Sequence, residues 1–486
     1  MTIRRRLTPV ALLALLACAA PARQVREAGR PPAAEPDRSR VPGLGPPPAL
    51  AVPAVTRFVL GNGLRVRLVE YHRLPIVALN LVVDAGAVHD PADRPGLAAF
   101  TAAMLTEGTT TRDATRISDD IAALGARLGA SSGFDAAQLS GSALSRNLDG
   151  LLDLFADVVR NPAFAPADFS RVRDQRLVSL RQQRDQPSAL AARVFAQIHW
   201  GAHPYGHWSL GTEDSLEAMG RGELAAFHAR WWRPGNAELV VVGDVTRAEV
   251  EPRLDRALAA WTGAAPEHPA FPPPAAPSAR TVLMEKKGAP QTFLILGTPG
   301  FARSDPDFAA AAVAFQILGG GQASRLFRHL REEKGYTYGM GARPEARKLG
   351  GTGVVGGSVK ADQTGVALQA LLGELDDIRE RPVTAEELRT AKEGIILGLP
   401  SEFATSGAIA GKLAEAVVYG LPDDYWPRYA DAVSRVTAED VRRAARAWLD
   451  TSRITAVMVG DAAVVRPQLA GLPLAPAEER AAQASR

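Results

Sequence analysis

The feature that most constrains this chain is an internal repeat with one fixed offset. Trp231 recurs as Trp448, and Gly243-Asp244 recurs as Gly460-Asp461, within a stretch that needs no gap. A constant offset over such a stretch is typical of a duplicated domain. A Pro-rich stretch, residues 263–280, lies between the copies. We therefore predict an α+β fold of two tandem homologous α/β domains, residues 53–262 and 281–475, joined by linker 263–280 and followed by a tail, 476–486.

Apolar periodicity predicts strands at 58–60, 64–69, 76–83, 134–142 and 239–242, and helices at 96–109, 117–128, 148–159 and 167–183. The helix at 96–109 is the most informative, because Leu97, Phe100, Met104 and Leu105 form one apolar stripe. Its ends suit a helix, with a proline before the first turn and Gly108 after the last. On these grounds alone it is an Ala-rich core helix.

The same helix resembles the inverted zinc helix of the insulinase/pitrilysin family of metallopeptidases. In that family two histidines, one helical turn apart, bind Zn²⁺, and a glutamate between them acts as the base. Here Ala99 and Ala103 stand at the histidine positions and Ala102 at the glutamate position. The resemblance implies two insulinase-type domains that form half of a clamshell, with a degenerate zinc motif. The matching positions are Gly96, Leu97, Ala98, Phe100, Met104, Leu105, Gly108 and Thr109.

The third zinc ligand of the family is a glutamate on a later helix, and its position corresponds to Ser179 in this chain. The surrounding segment is rich in Arg, Gln and Ser where the family helix is acidic. Because a catalytic zinc site needs three protein ligands, we predict no metal ligand and no catalytic residue in this chain. The resemblance places the zinc in a partner subunit.

A different metal site could use His199, His203 and His207, which are spaced to line one face of a helix. Gly201, Pro204 and Gly206 interrupt that segment, so we do not expect one continuous helix there. Members of the family often carry a similar His-Pro-Tyr-Gly turn. We therefore rank a displaced metal site last.

The second half contains a glycine run, Gly319, Gly320 and Gly321. It lacks the Gly-Lys-Ser/Thr ending of a phosphate-binding loop, so we reject nucleotide binding. One interpretation is a loop before an amphipathic helix that ends at Gly335. We also predict that the run contributes to a substrate-binding surface.

Arg331 and Tyr338 follow the glycine run. They match an Arg/Tyr pair of the insulinase family in type, spacing and neighbours, and the resemblance implies that both reach toward bound peptide. A guanidinium and a phenol are suitable donors for a substrate carbonyl and its developing oxyanion. Tyr336 is a competing candidate with a shorter spacing from Arg331. Packing or a helix surface is the alternative role for both side chains.

The N-terminus predicts export. Arg4-Arg5-Arg6 and a short apolar run precede Leu15-Leu16-Ala17-Cys18, which resembles a bacterial lipobox. Cys18 is the only cysteine, so we predict a lipoprotein signal peptide, residues 1–18, that ends at this lipobox cysteine, and Cys18 would be the lipidated first residue of the mature chain. A plain signal peptide with an incidental cysteine is the alternative. Residues 19–52 are typical of a Pro/Ala-rich tether, and Ala19 suits outer-membrane sorting in a Gram-negative bacterium, facing the periplasm.

Three functions fit these observations. The first is a non-catalytic, substrate-binding subunit that forms a heterodimer with an active insulinase-family chain with an intact zinc motif. The second is a scaffold or binding lipoprotein at the outer membrane, and the third is an active metallopeptidase with a displaced metal site. A net charge of +3 without a long basic run in the folded part argues against nucleic-acid binding.

Overall fold

The computed structural model describes residues 50–275 and 277–481. Cys18 and most of the predicted tether lie outside the described residues, so lipidation stays a prediction. The first half contains strands β1 (Thr56–Val59), β2 (Arg65–Glu70), β3 (Ile76–Val83), β4 (Arg127–Ser132), β5 (Ala137–Leu144) and β6 (Ala237–Gly243), and helices α1 (Leu97–Met104), α2 (Ala114–Leu124), α3 (Leu148–Arg160), α4 (Pro166–Arg184), α5 (Pro187–Trp200), α6 (Glu213–Ala218), α7 (Arg221–Trp231) and α8 (Arg247–Leu258).

The second half has the same kinds of elements in a similar order. It contains strands β7 (Arg280–Glu285), β8 (Gln291–Gly300), β9 (Thr337–Ala346), β10 (Gly351–Lys360), β11 (Thr455–Gly460) and β12 (Ala477–Ala481), a π-helix (Phe327–Glu333), and helices α9 (Phe308–Gly319), α10 (Thr364–Glu380), α11 (Ala385–Gly398), α12 (Ser406–Tyr419), α13 (Tyr425–Arg435), α14 (Ala438–Trp448) and α15 (Ala462–Val465).

The two sheets share one topology over five of their six strands, which confirms the predicted duplication. The first sheet has the order β1-β2-β6-β3-β5-β4, and the second has β12-β7-β11-β8-β10-β9. Five strands correspond one to one. The pair β2–β6 of the first sheet and the equivalent pair β7–β11 of the second sheet are both parallel. The repeat residues occupy equivalent places, since Trp231 and Trp448 end α7 and α14 and are both buried.

Each sheet is covered on one face by a helix from the other half. In the first half, α5 places Leu190 and Val194 against Val282 and Val457 of the second sheet. Conversely, α12 and the segment before it pack on the first sheet, where Leu413 lies in one apolar cluster with Val69, Ala78, Val240 and Val242. Because β6 is buried along its whole length, both faces of the first sheet are covered at its centre.

The structure differs from the sequence prediction at three boundaries. The helix predicted at 117–128 ends earlier, because Gly125 adopts a left-handed conformation with φ of 56° and closes α2. Residues 127–132 form β4 instead, and the next strand runs from Ala137 to Leu144. Residues 477–481, expected to belong to a tail, form β12 parallel to β7. Within the described ranges, no helix combines the length and hydropathy of a bilayer-spanning segment.

Candidate functional site

The N-terminus of α1 is held by a buried carboxylate. The backbone N–H groups of Gly96 and Ala98 donate to the two carboxylate oxygens of Asp90, each at 2.7 Å. Burial raises the pKa of Asp90, and these two hydrogen bonds and the nearby His207 imidazole oppose that rise. Gly96 has φ of 92°, and a Cβ there would lie 2.6 Å from the backbone of Gly211. The start of α1 is therefore fixed in position, as a helix that presents ligands would require.

The face of α1 that carries zinc ligands in the insulinase family presents methyl groups here. Ala99 and Ala102 are buried, and Ala103 is half-buried against the same apolar core. None of these side chains has an atom that coordinates a cation or accepts a proton. The helix keeps its packing and lacks the chemistry that the family places on it.

An arginine from α4 lies beside these alanines. The guanidinium of Arg176 donates to the backbone carbonyl of Ala99 at 3.3 Å and lies 5.4 Å from the centre of the Phe100 ring. Burial lowers the pKa of Arg176 to about 10. Ser179, at the third ligand position, is exposed, and its hydroxyl accepts from Gln183 at 3.3 Å. A fixed positive charge thus lies against α1, which opposes cation binding there.

The segment is visibly rich in arginine, but the contact between Arg176 and Ala99 was not predictable from the sequence. The sequence does show that Arg176 lies almost one helical turn before Ser179 on a predicted helix, so both could share one helix face. Which way that side chain turns depends on packing against Phe100, and packing of this kind is not visible in one sequence.

Among the residues that the structure describes, His199, His203 and His207 do not come together as a ligand group. His199 is the second-last residue of α5 and lies buried, with Nδ1 3.2 Å from the hydroxyl of Thr455. Burial lowers its pKa to about 4. His203 precedes a 3₁₀ turn and accepts from the backbone N–H of Tyr205 at 3.1 Å, whereas His207 faces Asp90. Each histidine serves a different local contact.

Arg331 lies on the π-helix and is exposed. Its guanidinium lies 4.5 Å from the ring of Phe327, and within the described structure its side chain makes no hydrogen bond. The competing candidate Tyr336 is half-buried and packs against the core of the second half, with its backbone N–H donating to the carbonyl of Leu330 at 2.9 Å. Of the two predicted tyrosines, only Tyr338 is open to solvent.

Tyr338 is the extra residue of a β-bulge at the start of β9. Thr337 pairs with Val359 and Gly339 pairs with Ser358, so Tyr338 has no partner residue on β10. The Thr337 hydroxyl stabilises the bulge by donating to the Ser358 carbonyl at 2.6 Å and accepting from the Gly339 N–H at 2.9 Å. A bulge redirects a side chain, and Tyr338 is 79% exposed.

The glycine run connects α9 to the π-helix. Gly319 ends α9 against β9, where a Cβ would lie 2.2 Å from the backbone nitrogen of Ala342. Gly321 has φ of 156°, a conformation that favours glycine. These contacts assign a structural role, and a substrate-binding role of Gly319, Gly320 and Gly321 stays a prediction. A cavity of about 180 Å³ opens beside the turn, lined by Gln316, Gly321, Ser324, Arg328, Glu387 and Thr390.

Comparisons with known proteins agree with this geometry. The profile described as "Insulinase (Peptidase family M16)" matches residues 65–213, and that described as "Peptidase M16 inactive domain" matches residues 218–395. The crystal structure of a peptidase M16 inactive domain from Pseudomonas fluorescens is 30% identical, with a TM-score of 0.79, and the match covers 84% of this chain and 98% of that one. This chain belongs to peptidase family M16.

Two further M16 comparisons differ in what they show. An "Uncharacterized zinc protease" of Rickettsia bellii is 27% identical over 338 residues, which are 69% of this chain and 81% of that protein. A chain of complex III2 from Candida albicans has a TM-score of 0.71 at 15% identity, covering 86% of this chain and all of that one. The second likeness shows the fold alone.

Proposed function

We propose that this M16 chain is a non-catalytic, substrate-binding subunit of a heteromeric zinc metallopeptidase, which positions peptide for an active partner chain. The observation that carries the proposal is an asymmetry between the halves. In the first half, methyl groups line the face of α1 that carries the zinc ligands in the insulinase family, and Arg176 lies beside that face. In the second half, Arg331 and Tyr338 remain exposed and make no side-chain hydrogen bond within the described structure.

Exposed donors without protein partners are suited to a ligand. A guanidinium and a phenol donate well to peptide carbonyls, and Tyr338 projects from a bulge that Thr337 stabilises. Tyr338 also lies at the start of β9, an edge strand of the second sheet. An extended peptide can pair with an edge strand through its backbone. Arg331 and Tyr338 would then hold the same peptide by its carbonyl groups.

The zinc and the base would come from the partner. We expect the partner to be an M16 chain with an intact His-x-x-Glu-His helix, since this chain lacks all of those groups on α1. The presence of this fold in a chain of the Candida albicans complex III2 supports a role within an assembly. We further propose that lipidated Cys18 attaches the chain to the outer membrane on its periplasmic side.

The test is a reconstitution. This chain, a candidate M16 partner from the same organism with an intact motif, and their mixture are each assayed with quenched fluorescent peptides. We expect no cleavage by this chain alone and faster cleavage by the mixture than by the partner. Arg331→Ala combined with Tyr338→Phe should lower turnover by the mixture about tenfold or more, because both donors to the peptide are lost.

A matched double variant controls for the loss of an arginine and a phenol elsewhere. Arg428→Ala with Tyr71→Phe removes an exposed arginine paired with Asp424 and a hydroxyl that donates to the Ala404 carbonyl at 3.1 Å. This variant should retain the turnover of the mixture. Zinc-dependent cleavage by the isolated chain would contradict the proposal. Stable binding of the partner with no effect of the Arg331/Tyr338 variant on turnover would favour the scaffold function instead.

A further inference from the structure

Three metal-binding side chains from separate segments meet near the end of β3. Asp84 follows β3, His89 ends a 3₁₀ turn (Ala87–His89), and His268 lies in the Pro-rich linker. Each offers one ligand atom, and these atoms all lie within 4.8 Å of one another. Two ligands of a tetrahedral Zn²⁺ ion with bonds of about 2.1 Å lie roughly 3.4 Å apart, so shifts of about 1 Å per side chain would bring the three atoms onto one ion.

The two imidazoles are held by the same indole ring. The His89 ring stacks on Trp231 with centroids 4.1 Å apart, and its side chain is only 2% exposed. The His268 ring lies 5.3 Å from the rings of both His89 and Trp231, and its Nε2 lies 2.8 Å from the side-chain oxygen of Asn236. His268 is therefore positioned although its segment has no helix or strand.

The hydrogen bonds around His89 are incomplete. His89 Nε2 lies 3.3 Å from Asp84 Oδ1, whereas His89 Nδ1 is buried and has no partner in the described part of the chain. A buried imidazole nitrogen without a partner is unfavourable, so the protein groups around His89 leave this ring incompletely satisfied.

The charges at the cluster suit a cation despite two nearby positive groups. Asp84 supplies a carboxylate to the cluster, and its Oδ1 lies 3.3 Å from His89 Nε2. Lys348 donates to Asp84 Oδ2 at 2.8 Å and leaves Oδ1 facing His89, and Arg230 lies over Trp231.

We propose that Asp84, His89 and His268 form a binding site for a divalent transition metal such as Zn²⁺. Two imidazoles and one carboxylate suit Zn²⁺ and its neighbours rather than Mg²⁺ or Ca²⁺, which prefer oxygen ligands. The site would join the Pro-rich linker to the first half and leave coordination positions for water. It is separate from α1, and it would be an exception to the prediction that no residue of this chain binds metal.

The test is a Zn²⁺ titration of the complete chain, purified without a histidine tag and treated with chelator. We expect one tightly bound ion per chain by calorimetry, and visible d–d absorption when Co²⁺ is added. His268→Ala should weaken binding about tenfold or more, since losing even an outer partner of a ligand has that effect. His268 is exposed, so this variant should fold, whereas His89→Ala removes a buried ring and is the less suitable variant.

His72→Ala is the matched control, because His72 is an exposed imidazole with Nδ1 2.8 Å from Asp244 Oδ1. It should leave Zn²⁺ affinity unchanged. Bound Zn²⁺ should also slow limited proteolysis within residues 263–280 of the wild type but not of His268→Ala. Equal affinity of the wild type and His268→Ala, or no binding by the wild type, would overturn the proposal. None of these measurements uses a partner subunit or peptidase activity, so they are independent of the proposed function.

Discussion

Replacing Arg176 by methionine should stabilise the folded chain. Its Nε and Nη2 atoms are buried without partners in the described structure, and burial lowers its pKa from 12.5 to about 10. A lowered pKa means that the folded state disfavours the charged form. The lowered pKa corresponds to a destabilisation of the folded chain by roughly 3 kcal/mol. This penalty is present in full below about pH 10 and shrinks as the pH rises through that value.

Two favourable contacts offset part of this penalty. The hydrogen bond to the Ala99 carbonyl is long, at 3.3 Å, and contributes about 1 kcal/mol at most. The interaction of the guanidinium with the Phe100 ring adds about 1 kcal/mol. Methionine keeps an unbranched stem that can pack on the same ring. The balance leaves a net stabilisation of roughly 1 kcal/mol for Arg176→Met.

Urea unfolding at neutral pH, followed by tryptophan fluorescence, measures the effect. Arg181→Met is the control on the same helix, because Arg181 is half exposed and pairs with Glu213 at 2.8 Å. Its loss should change the stability little, because an exposed ion pair contributes little to folding. A destabilisation of more than about 1 kcal/mol by Arg176→Met would refute the reasoning, since Arg176 would then be a stabilising part of the core.

Three further predictions concern packing, pH and lipidation. Leu413→Ala should destabilise the chain by about 2–5 kcal/mol in urea unfolding, because α12 buries Leu413 on the sheet of the other half, whereas Leu397→Ala at an exposed position should have little effect. The folded state lowers the pKa of His199 from 6.5 to about 4, so the unfolded chain takes up a proton there first as the pH falls. The free energy of unfolding should therefore fall as the pH drops from 6.5 to about 4. His199→Gln can still form a hydrogen bond with Thr455 but does not titrate, so it should reduce this loss. Urea unfolding of both chains above and within this pH range measures the effect. Cys18→Ser should abolish incorporation of radiolabelled palmitate into the chain, and labelling that persists in this variant would contradict lipid attachment at this residue.

The duplication was predictable because the repeat residues lie at equal positions in both halves. α7 (Arg221–Trp231) and α14 (Ala438–Trp448) begin and end at matching positions of the repeat, and both are followed by a buried strand that ends in glycine. The exchange of α5 and α12 between the sheets was not predictable, since an apolar helix face does not specify which of two similar sheets it covers. β12 was missed because its sequence is mostly charged and its side chains are mostly exposed at the edge of the sheet.

The chemistry of the candidate site was predictable only in part. The substitutions at Ala99, Ala102 and Ala103 can be read directly from a one-dimensional motif. The cluster of Asp84, His89 and His268 has no such motif. Its third member lies in the linker and is separated in sequence from the other two by most of the first domain. In the folded chain, His89 stacks on Trp231 and His268 makes a tilted contact with the same ring, which brings the two imidazoles together.

The exposure of Arg331 and Tyr338 depends on two local irregularities that their spacing does not reveal. Arg331 lies in a π-helix, whose hydrogen bonds span one more residue than those of an α-helix, and Tyr338 is the additional residue of a β-bulge. On β9 the bulge leaves Thr337 and Met340 both buried while Tyr338 is exposed. A regular strand alternates, and Thr337 and Met340 would then face opposite sides. Both irregularities disturb regular backbone pairing. They occur at the two residues to which the M16 resemblance assigns peptide binding. This is the pattern expected where a fold is adapted to present side chains to a ligand.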